Sequence, residues 1–204
     1  MDSNEHEYVD LGLPSGTLWA AKNVGAENET DCGLFFSWGE NIGYNLKQIK
    51  ENEKMFSWGD YKFGSPDSIL KYNKLNTRKL LELRDDMAHI NMGGNWYTPL
   101  KEQFEELLKN TTKKFVENYN NSGINGVLMI SIINDNYIFF PTYGIFSCGK
   151  LIEDKYRGLY WSSNILNINL NYASYALCLK KNDIGVYGNF RSLGFNVRGV
   201  INID

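Results

Sequence analysis

The clearest helical pattern in the chain follows Thr98-Pro99, a pair suited to a helix start. Over residues 100–110 the apolar side chains recur at the spacing of one helical face, with charged residues between them. The apolar positions are Leu100, Phe104, Leu107 and Leu108. The pattern predicts an amphipathic helix that packs this stripe against a core.

Two shorter helices are predicted upstream. Ser65-Pro66 is suited to the N-cap and first helical position of a helix that runs to Tyr72. Asp85 is suited to cap a second helix over residues 86–92, which the glycines at 93 and 94 end. The middle of the chain is therefore predicted to hold two or three helices.

Beyond Asn125 the pattern changes to the alternation of strands. Residues 126–133 and 137–144 flank an Asn-Asp-Asn turn and predict a hairpin. Further strands are predicted near the C-terminal end, over residues 158–163, 172–180, 183–188 and 195–202. At the other end, residues 8–20 read as strand, turn and strand, with the turn at Pro14-Ser15-Gly16. A pairing between first and last strands is one further expectation.

This order of elements predicts one α+β domain over residues 8–204, preceded by a flexible N-terminus over residues 1–7. Residues 36–40 and 56–60 both read Phe-Ser-Trp-Gly-acid. The motif is too short and isolated to indicate a repeat architecture.

Composition supports a folded binding protein over a nucleic-acid-binding one. The chain has 204 residues, of which 43% are hydrophobic and 14% aromatic, enough for a sizeable core. Its 13 tyrosines and 5 tryptophans exceed what a core needs, and amphipathic aromatics are common at binding surfaces. The formal net charge is −3 without a basic patch, which argues against nucleic acid as the main partner.

No leader or membrane segment is expected. The first ten residues have neither a basic start nor an apolar stretch, so no signal peptide is predicted. No stretch approaches the roughly 20 apolar residues of a membrane-spanning helix, so membrane insertion is not expected. The expected locations are the cytoplasm, a virion, or an extracellular surface reached by another route; a trimmed start is a further alternative.

The cysteines Cys32, Cys148 and Cys178 lie far apart and include no Cys-x-x-Cys pair. This spacing excludes a zinc ribbon. One disulfide plus a free thiol, or three reduced and buried thiols, both remain open.

Catalytic chemistry finds little support. Asp85, Asp86 and His89 form the one acid–histidine cluster, and helix capping explains it better than a metal or an activated histidine. His6 is the other histidine and lies near the predicted flexible terminus. No nucleophile elbow, zincin motif or phosphate-binding loop is present. The sequence therefore predicts no enzyme activity, no catalytic residue, no metal and no cofactor.

The candidate ligand-binding residues cluster near the C-terminal end. An asparagine-rich segment follows a predicted strand, and a second group of polar and aromatic residues lies at residues 187–192. The candidates are Asn164, Asn167, Asn169, Asn171, Tyr187, Asn189, Phe190 and Ser192. Asparagine supplies both donor and acceptor groups and aromatics supply stacking, which suits a sugar or a protein epitope. The alternative is that an AT-rich genome enriches asparagine everywhere.

Several motifs in order resemble the Fibrobacter succinogenes major paralogous domain family, common in gut Bacteroidetes and their phages. Residues 8–19 (YVDLGLPSGTLW) and 36–40 (FSWGE) resemble its start, and residues 93–107 (GGNWYTPLKEQFEEL) resemble its middle. The closing YWSS at residues 160–163 and the R-x-x-G-x-x-V-R at residues 191–198 complete the set. Departures stand at Tyr97, Leu100, Asn196 and Gly199, where the family usually has other residues.

The resemblance implies a C-type-lectin-like fold of the formylglycine-generating-enzyme branch. In relatives diversified by retroelements, the last segment is variable and forms the binding face. The enzymes of this branch use a paired-cysteine copper site, which Cys32, Cys148 and Cys178 do not reproduce. The Glu-Pro-Asn signature of calcium-dependent lectins is absent as well, so any sugar binding is expected to be independent of calcium.

Residues inside these family motifs are expected to be structural. They are Trp19, Trp38, Trp96, Trp161, Arg191 and Arg198. Large aromatics dominate cores, and the two arginines are expected to pair with buried carboxylates such as Asp10 or Glu40.

The sequence thus predicts a non-enzymatic protein that binds a protein or glycan on a cell surface, with a phage virion or tail as the preferred setting. The first alternative is a structural or decoration protein that forms a homo-oligomer or larger assembly and has no external ligand. The second is a diverged enzyme of the formylglycine-generating type.

Overall fold

The computed structural model describes residues 6–152 and 155–202. Within them the chain is an α+β domain with three short helices and thirteen strands. The helices are α1 (Leu46–Lys50), α2 (Met87–Met92) and α3 (Lys101–Lys109). The strands are β1 (Tyr8–Asp10), β2 (Thr17–Ala20), β3 (Gly64–Ser65), β4 (Ser68–Ile69), β5 (Thr111–Val116), β6 (Gly126–Ser131), β7 (Tyr137–Pro141), β8 (Ile145–Ser147), β9 (Lys150–Ile152), β10 (Arg157–Ile165), β11 (Ala173–Lys180), β12 (Asp183–Phe190) and β13 (Val200–Asn202).

Three antiparallel three-stranded sheets form the framework. Their strand orders are β1-β2-β13, β5-β6-β7 and β10-β11-β12, and the pairs β3-β4 and β8-β9 are small hairpins. The predicted α+β class and the strand-rich C-terminal half are confirmed. The last strand pairs with β2, not with the first strand, so that Val200 lies opposite Trp19.

Strand β11 separates two hydrophobic cores because its successive side chains point to opposite faces. Ala176 and Cys178 belong to a core that also holds Trp38, Trp96 and Trp161. Leu177 and Leu179 belong to a second core. The central strand of the β10-β11-β12 sheet is therefore buried on both faces, and β12 forms its edge.

The second core holds the apolar stripe of α3. Phe104 and Leu107 are fully buried there beside Trp19 and Phe140. The Phe104 and Trp19 rings lie 5.3 Å apart between centroids. The helix predicted over residues 100–110 is confirmed within one residue at each end.

The helix predicted from Ser65 to Tyr72 is wrong. Residues 64–69 form the β3-β4 hairpin, with Pro66 and Asp67 in its turn. Tyr72 has a φ of 59°, a left-handed conformation that a helix does not allow. Proline fixes a backbone angle common to helix starts and turns, so the Ser-Pro pair fits either.

The cap of α2 is also one residue later than predicted. A 3₁₀ turn over Leu83–Asp85 precedes the helix, and the Asp86 carboxylate accepts the hydrogen bond from the His89 amide. Asp85 is buried instead, where its carboxylate accepts from Lys71 and from the Tyr72 hydroxyl. The glycine at 93 ends α2 with a φ of 77°, as predicted.

Two predictions near the chain ends need adjustment. The flexible N-terminus falls outside the described residues over 1–5, while His6 and Glu7 make defined contacts. The His6 imidazole lies 3.2 Å from the Met92 carbonyl oxygen, and the Ala21 amide donates to the Glu7 carbonyl. The strand predicted over residues 195–202 is shortened to β13, since residues 195–199 run irregularly. Residues 203–204 lie outside the described part.

Candidate functional site

The asparagine-rich segment is the loop over residues 166–172 that joins β10 to β11. Apolar and polar residues alternate along it. Ile168 and Tyr172 pack against the first core, whereas Asn167 and Asn169 are exposed. The loop is therefore fixed by its apolar residues and presents its asparagines to solvent.

Asn167 also shapes this loop. Its side-chain oxygen accepts a hydrogen bond of 2.8 Å from the Asn169 amide, and its carbonyl accepts one from the Leu170 amide. Asparagine favours such local turns because its side chain replaces a backbone acceptor. Within residues 6–152 and 155–202, the side chains of Asn169 and the half-buried Asn171 make no hydrogen bond, so they are free to bind a ligand.

Asn164 is partly buried at the end of β10 and does not lie in the loop, so its predicted ligand contact stays a prediction. It lies in β10, and its side-chain oxygen accepts a 2.8 Å hydrogen bond from the Lys101 amide at the start of α3. Leu100, at the N-cap position of α3, has no side-chain acceptor. Asn164 supplies one from a neighbouring strand.

The second group of candidates lies on edge strand β12. Tyr187 is exposed, and its hydroxyl donates to the Asp183 carboxylate at 2.8 Å. This hydrogen bond raises the pKa of Tyr187 above its ordinary value. Asn189 is half-buried, and its amide donates to the Tyr187 carbonyl at 3.1 Å. Tyr187 and Asn189 are therefore accessible, each with one local hydrogen bond.

Ser192 is buried, so its predicted contact with a ligand is wrong. Its carbonyl accepts a hydrogen bond from the Ser37 hydroxyl. The chain turns towards the core directly after Phe190, because the Arg191 side chain is buried there and donates hydrogen bonds to backbone carbonyls. Phe190 itself is 53% exposed, although Arg191, the next residue, is fully buried.

Phe190 connects the two groups and brings in a residue that was not predicted. Its ring lies 5.9 Å from Tyr172 of the loop and 6.3 Å from Trp58. Trp58 is partly buried and belongs to the second Phe-Ser-Trp-Gly-acid motif. The repeated motif could have identified Trp58 from the sequence, because the residues that resemble the family include the first copy of the motif but not the second.

Both copies of the motif form the same turn. The Glu40 amide donates to the Ser37 carbonyl at 3.1 Å, and the Asp60 amide donates to the Ser57 carbonyl at 3.3 Å. The backbone turn is the same in both copies. Trp38 is nevertheless fully buried in the first core, whereas Trp58 is only partly buried at its margin.

A continuous series of edge-to-face aromatic rings connects this surface to the first core. Trp58 contacts Tyr61 at 5.4 Å between centroids, and Tyr61 contacts Phe63 at 5.8 Å. The series continues through Tyr72 to Trp38. Edge-to-face pairs of this kind favour one arrangement of the rings, so the exposed aromatics rest on a rigid support.

Arg191 fixes the end of β12 from inside. Its guanidinium donates to the carbonyls of Tyr72 at 3.0 Å and Lys71 at 3.2 Å and to the Ser174 hydroxyl, and it lies 4.4 Å from the Trp38 ring centre. Burial lowers the pKa of Arg191 to about 10, so the group stays charged at neutral pH.

Arg198 has a similar environment in the other core. It donates to the Asn23 side chain at 2.9 Å and to the carbonyls of Ala21 and Phe139 at 2.7 Å and 2.9 Å. Burial lowers its pKa to about 10 as well. The structural role predicted for both arginines fits their burial, but the expected carboxylate partners are wrong, since carbonyl and side-chain oxygens take their place.

The predicted structural tryptophans are all buried. Trp19, Trp38 and Trp161 have no exposed surface, and Trp96 is 2% exposed. The indole N–H of Trp38 donates to the Ser162 carbonyl, and that of Trp161 donates to the Phe36 carbonyl, each at 2.8 Å. These contacts hold β10 against the first third of the chain.

The acid–histidine cluster is occupied by structural contacts. Asp86 accepts hydrogen bonds from the amides of His89 and Thr98 and from the Thr98 hydroxyl. Burial raises the pKa of Asp86 despite these bonds. Among the described residues, no three histidine, cysteine or acidic side chains are grouped so that they could hold a metal ion.

The three cysteines are free, as the reduced alternative expects and the disulfide alternative does not, but of the three thiols expected to be buried only Cys178 is. Cys178 is buried in the first core, but Cys148 is exposed at the tip of the β8-β9 hairpin. Burial raises the pKa of the Cys32 thiol to about 11, so this thiol is protonated at neutral pH.

A cleft of about 760 Å³ lies elsewhere, between the first hairpin and α2. Its lining includes Tyr8, Met92 and the ion pair of Glu7 and Lys22, whose charged atoms are 3.0 Å apart. The cleft shares no lining residue with the loop at 166–172 or with β12. No described helix is long and apolar enough to cross a membrane.

Comparison with known proteins adds no assignment. A scan of family models, a search of curated proteins and a search of solved structures each found no match.

Proposed function

We propose that this protein is a non-enzymatic binding protein. Its binding site would be a display surface, which we define as the exposed parts of residues 166–172 and 187–190. One observation carries the proposal: two separate segments bring exposed asparagines and aromatics together through the contact of Tyr172 with Phe190, 5.9 Å between ring centres. Exposed side chains on a rigid framework favour binding because little order is lost when a ligand arrives.

We also propose a C-type-lectin-like arrangement for the domain and display on a virion or another surface as its setting. Two features support the arrangement. The pairing of β2 with β13 brings the two ends of the described chain together, and the tryptophans and arginines of the family-like motifs all lie in the cores. The partner we propose is a protein or glycan on a cell surface.

The test is binding of fluorescent, multimerised protein to a panel of gut bacterial cells, with and without EDTA. Multimers are used because avidity reveals weak single contacts. A variant with alanine at Asn169, Asn171, Tyr187 and Phe190 is expected to lose binding, and EDTA is expected to have no effect.

The control variant carries alanine at Leu75 and Tyr137, which are 93% and 52% exposed and lie outside the display surface. It is expected to bind like the parent. Equal binding by the display-surface variant and the parent would overturn the proposal.

A second candidate is an assembly module, favoured by the open edge of β12. This strand has eight residues, and no charged residue or proline occurs between Ile184 and Phe190. Edges of this kind pair readily with another strand. Light scattering over a range of concentrations would then show an oligomer that Tyr187→Lys dissociates. A monomeric parent would exclude this candidate.

A further inference from the structure

We propose that Trp58 completes the display surface and that the ligand is a neutral saccharide, taken as part of a cell-surface glycan. The inference rests on the proposed function and specifies its ligand. The sugar rings would lie against Trp58 and Phe190, and the asparagine amides would bond the hydroxyls.

The aromatic groups supply the first part of this recognition. The Phe190 ring contacts both Tyr172 and Trp58, so residues from three separate segments form one aromatic cluster, in which Phe190 is exposed and the other two rings are partly buried. The apolar C–H faces of a sugar pack well against such rings. Because the series of rings continues into the core through Tyr61, the cluster keeps its shape without a ligand.

The polar groups supply the second part. The side chains of Asn169 and Asn171 make no hydrogen bond within the described residues, and both residues precede Tyr172 in the same loop. An amide carries donors and an acceptor, which matches a sugar hydroxyl because the hydroxyl also donates and accepts. The indole N–H of Trp58 likewise makes no hydrogen bond in the described part of the chain, and tryptophan often uses this group at interfaces.

The charge of the surface selects a neutral ligand. Residues 57–59, 166–172 and 187–190 contain no acidic or basic residue. The nearest carboxylate in sequence, that of Asp60, already accepts hydrogen bonds from the Ser57 amide and hydroxyl and from the Met55 amide. The Asp183 carboxylate, which lies beside the surface, already accepts the hydrogen bond of the Tyr187 hydroxyl. An acidic glycan would therefore find no cation within these residues.

The experiment measures binding to immobilised neutral oligosaccharides of glucose, galactose, mannose and N-acetylglucosamine, with a sialylated oligosaccharide as the acidic comparison. We expect binding to at least one neutral oligosaccharide and weaker binding to the acidic one. Trp58→Ala should weaken binding about tenfold or more, as loss of a central aromatic contact commonly does. Trp58→Phe should retain part of the affinity.

The control is Tyr137→Ala, which removes an aromatic outside the cluster that is 52% exposed, close to the 53% of Phe190. Thermal unfolding of each variant checks that the fold is kept. Should Trp58→Ala be unstable, Phe190→Ala and Phe190→Tyr give the same comparison at a residue whose ring is 53% exposed. Unchanged binding by a folded Trp58→Ala variant would overturn the inference, as would preference for the sialylated oligosaccharide.

Binding to cells treated with periodate or with protease distinguishes failure of the saccharide inference from failure of the proposed binding function. Periodate destroys sugar rings and protease removes surface proteins. Binding that depends on the display surface, survives periodate and is lost on protease treatment would refute the saccharide and retain the binding function. A folded protein that binds neither cells nor oligosaccharides would refute both.

Discussion

Trp38 and Trp58 occupy equivalent places in two copies of one short motif, yet only Trp38 is fully buried. The indole of Trp38 donates to Ser162, and Arg191 covers its ring. Trp58 is partly buried against the same core, and its ring contacts with Tyr61 and Phe190 are edge-to-face. A substitution at Trp38 therefore acts on stability, whereas one at Trp58 acts mainly on the surface.

Asp85 is a residue whose contribution depends on pH. Burial acts to raise the pKa of Asp85, but hydrogen bonds from Lys71 and Tyr72 outweigh burial and hold the pKa below its usual value. A carboxyl with a depressed pKa stabilises the fold above its unfolded-state pKa of about 4 and loses this effect as pH falls through the folded-state pKa.

We therefore predict that Asp85→Asn lowers the free energy of unfolding at pH 7 by more than at pH 3. Urea titrations at both values check this, with the exposed Asp67→Asn as the control. A loss of equal size at both pH values would contradict the role given to this carboxylate.

At the scale of elements, α3 depends on a strand for its first turn. Leu100, at the N-cap position, has no side-chain acceptor. The side-chain oxygen of Asn164 in β10 instead accepts a hydrogen bond from the backbone amide of Lys101. The Asn164 side-chain amide also donates to the Glu102 carboxylate at 3.4 Å, so one side chain joins a helix and a strand that are far apart in sequence, beside the loop that carries the display surface.

We predict that Asn164→Ala costs about 1 kcal/mol of stability, the usual effect of losing a helix cap. Asn169→Ala, five residues further on, is expected to change stability by less than about 0.5 kcal/mol, as at other exposed positions. Chemical denaturation measures both. Equal effects would mean that Asn164 does not cap α3.

How far sequence predicts an element depends on how local its cause is. The stripe of Phe104 and Leu107 fixes α3 because helical spacing is a local property. Ser65-Pro66 suits a helix start and a turn equally, and only the pairing of Gly64 with Ile69 decides between them.

The candidate site follows the same rule. Asn167 and Asn169 were predicted correctly as exposed loop residues because composition marks loops. Asn164 lies in a strand and not in the loop, Ser192 is buried, and Trp58 was missed, because the surroundings of all three residues come from distant segments. Arg191 illustrates this most clearly, since its acceptors lie on Lys71, Tyr72 and Ser174.

At the scale of the whole molecule, reaction of the less accessible thiols reports global unfolding, because a reagent reaches a thiol buried in a core only when the core opens. Cys178 lies in the first core, and Cys32 is partly buried with its pKa raised to about 11. Cys148 is exposed. The three thiols thus differ in access although all are free.

We predict that a thiol reagent at pH 8 modifies Cys148 rapidly in the folded protein, and modifies Cys32 and Cys178 only as fast as the protein unfolds. Mass spectrometry of digested protein identifies the labelled sites over time. Cys148→Ser should abolish the fast reaction. Rapid labelling of Cys178 in folded protein would contradict the described packing.

The pairing of β2 with β13 also sets the timing of folding during synthesis. Every residue between Ala20 and Val200 leaves the ribosome before β2 meets its partner. At about 5–20 residues per second, the wait is on the order of ten seconds or more. Trp19 and Leu18 lack their β13 neighbours throughout that time, so we expect the nascent chain to depend on chaperones until β13 emerges.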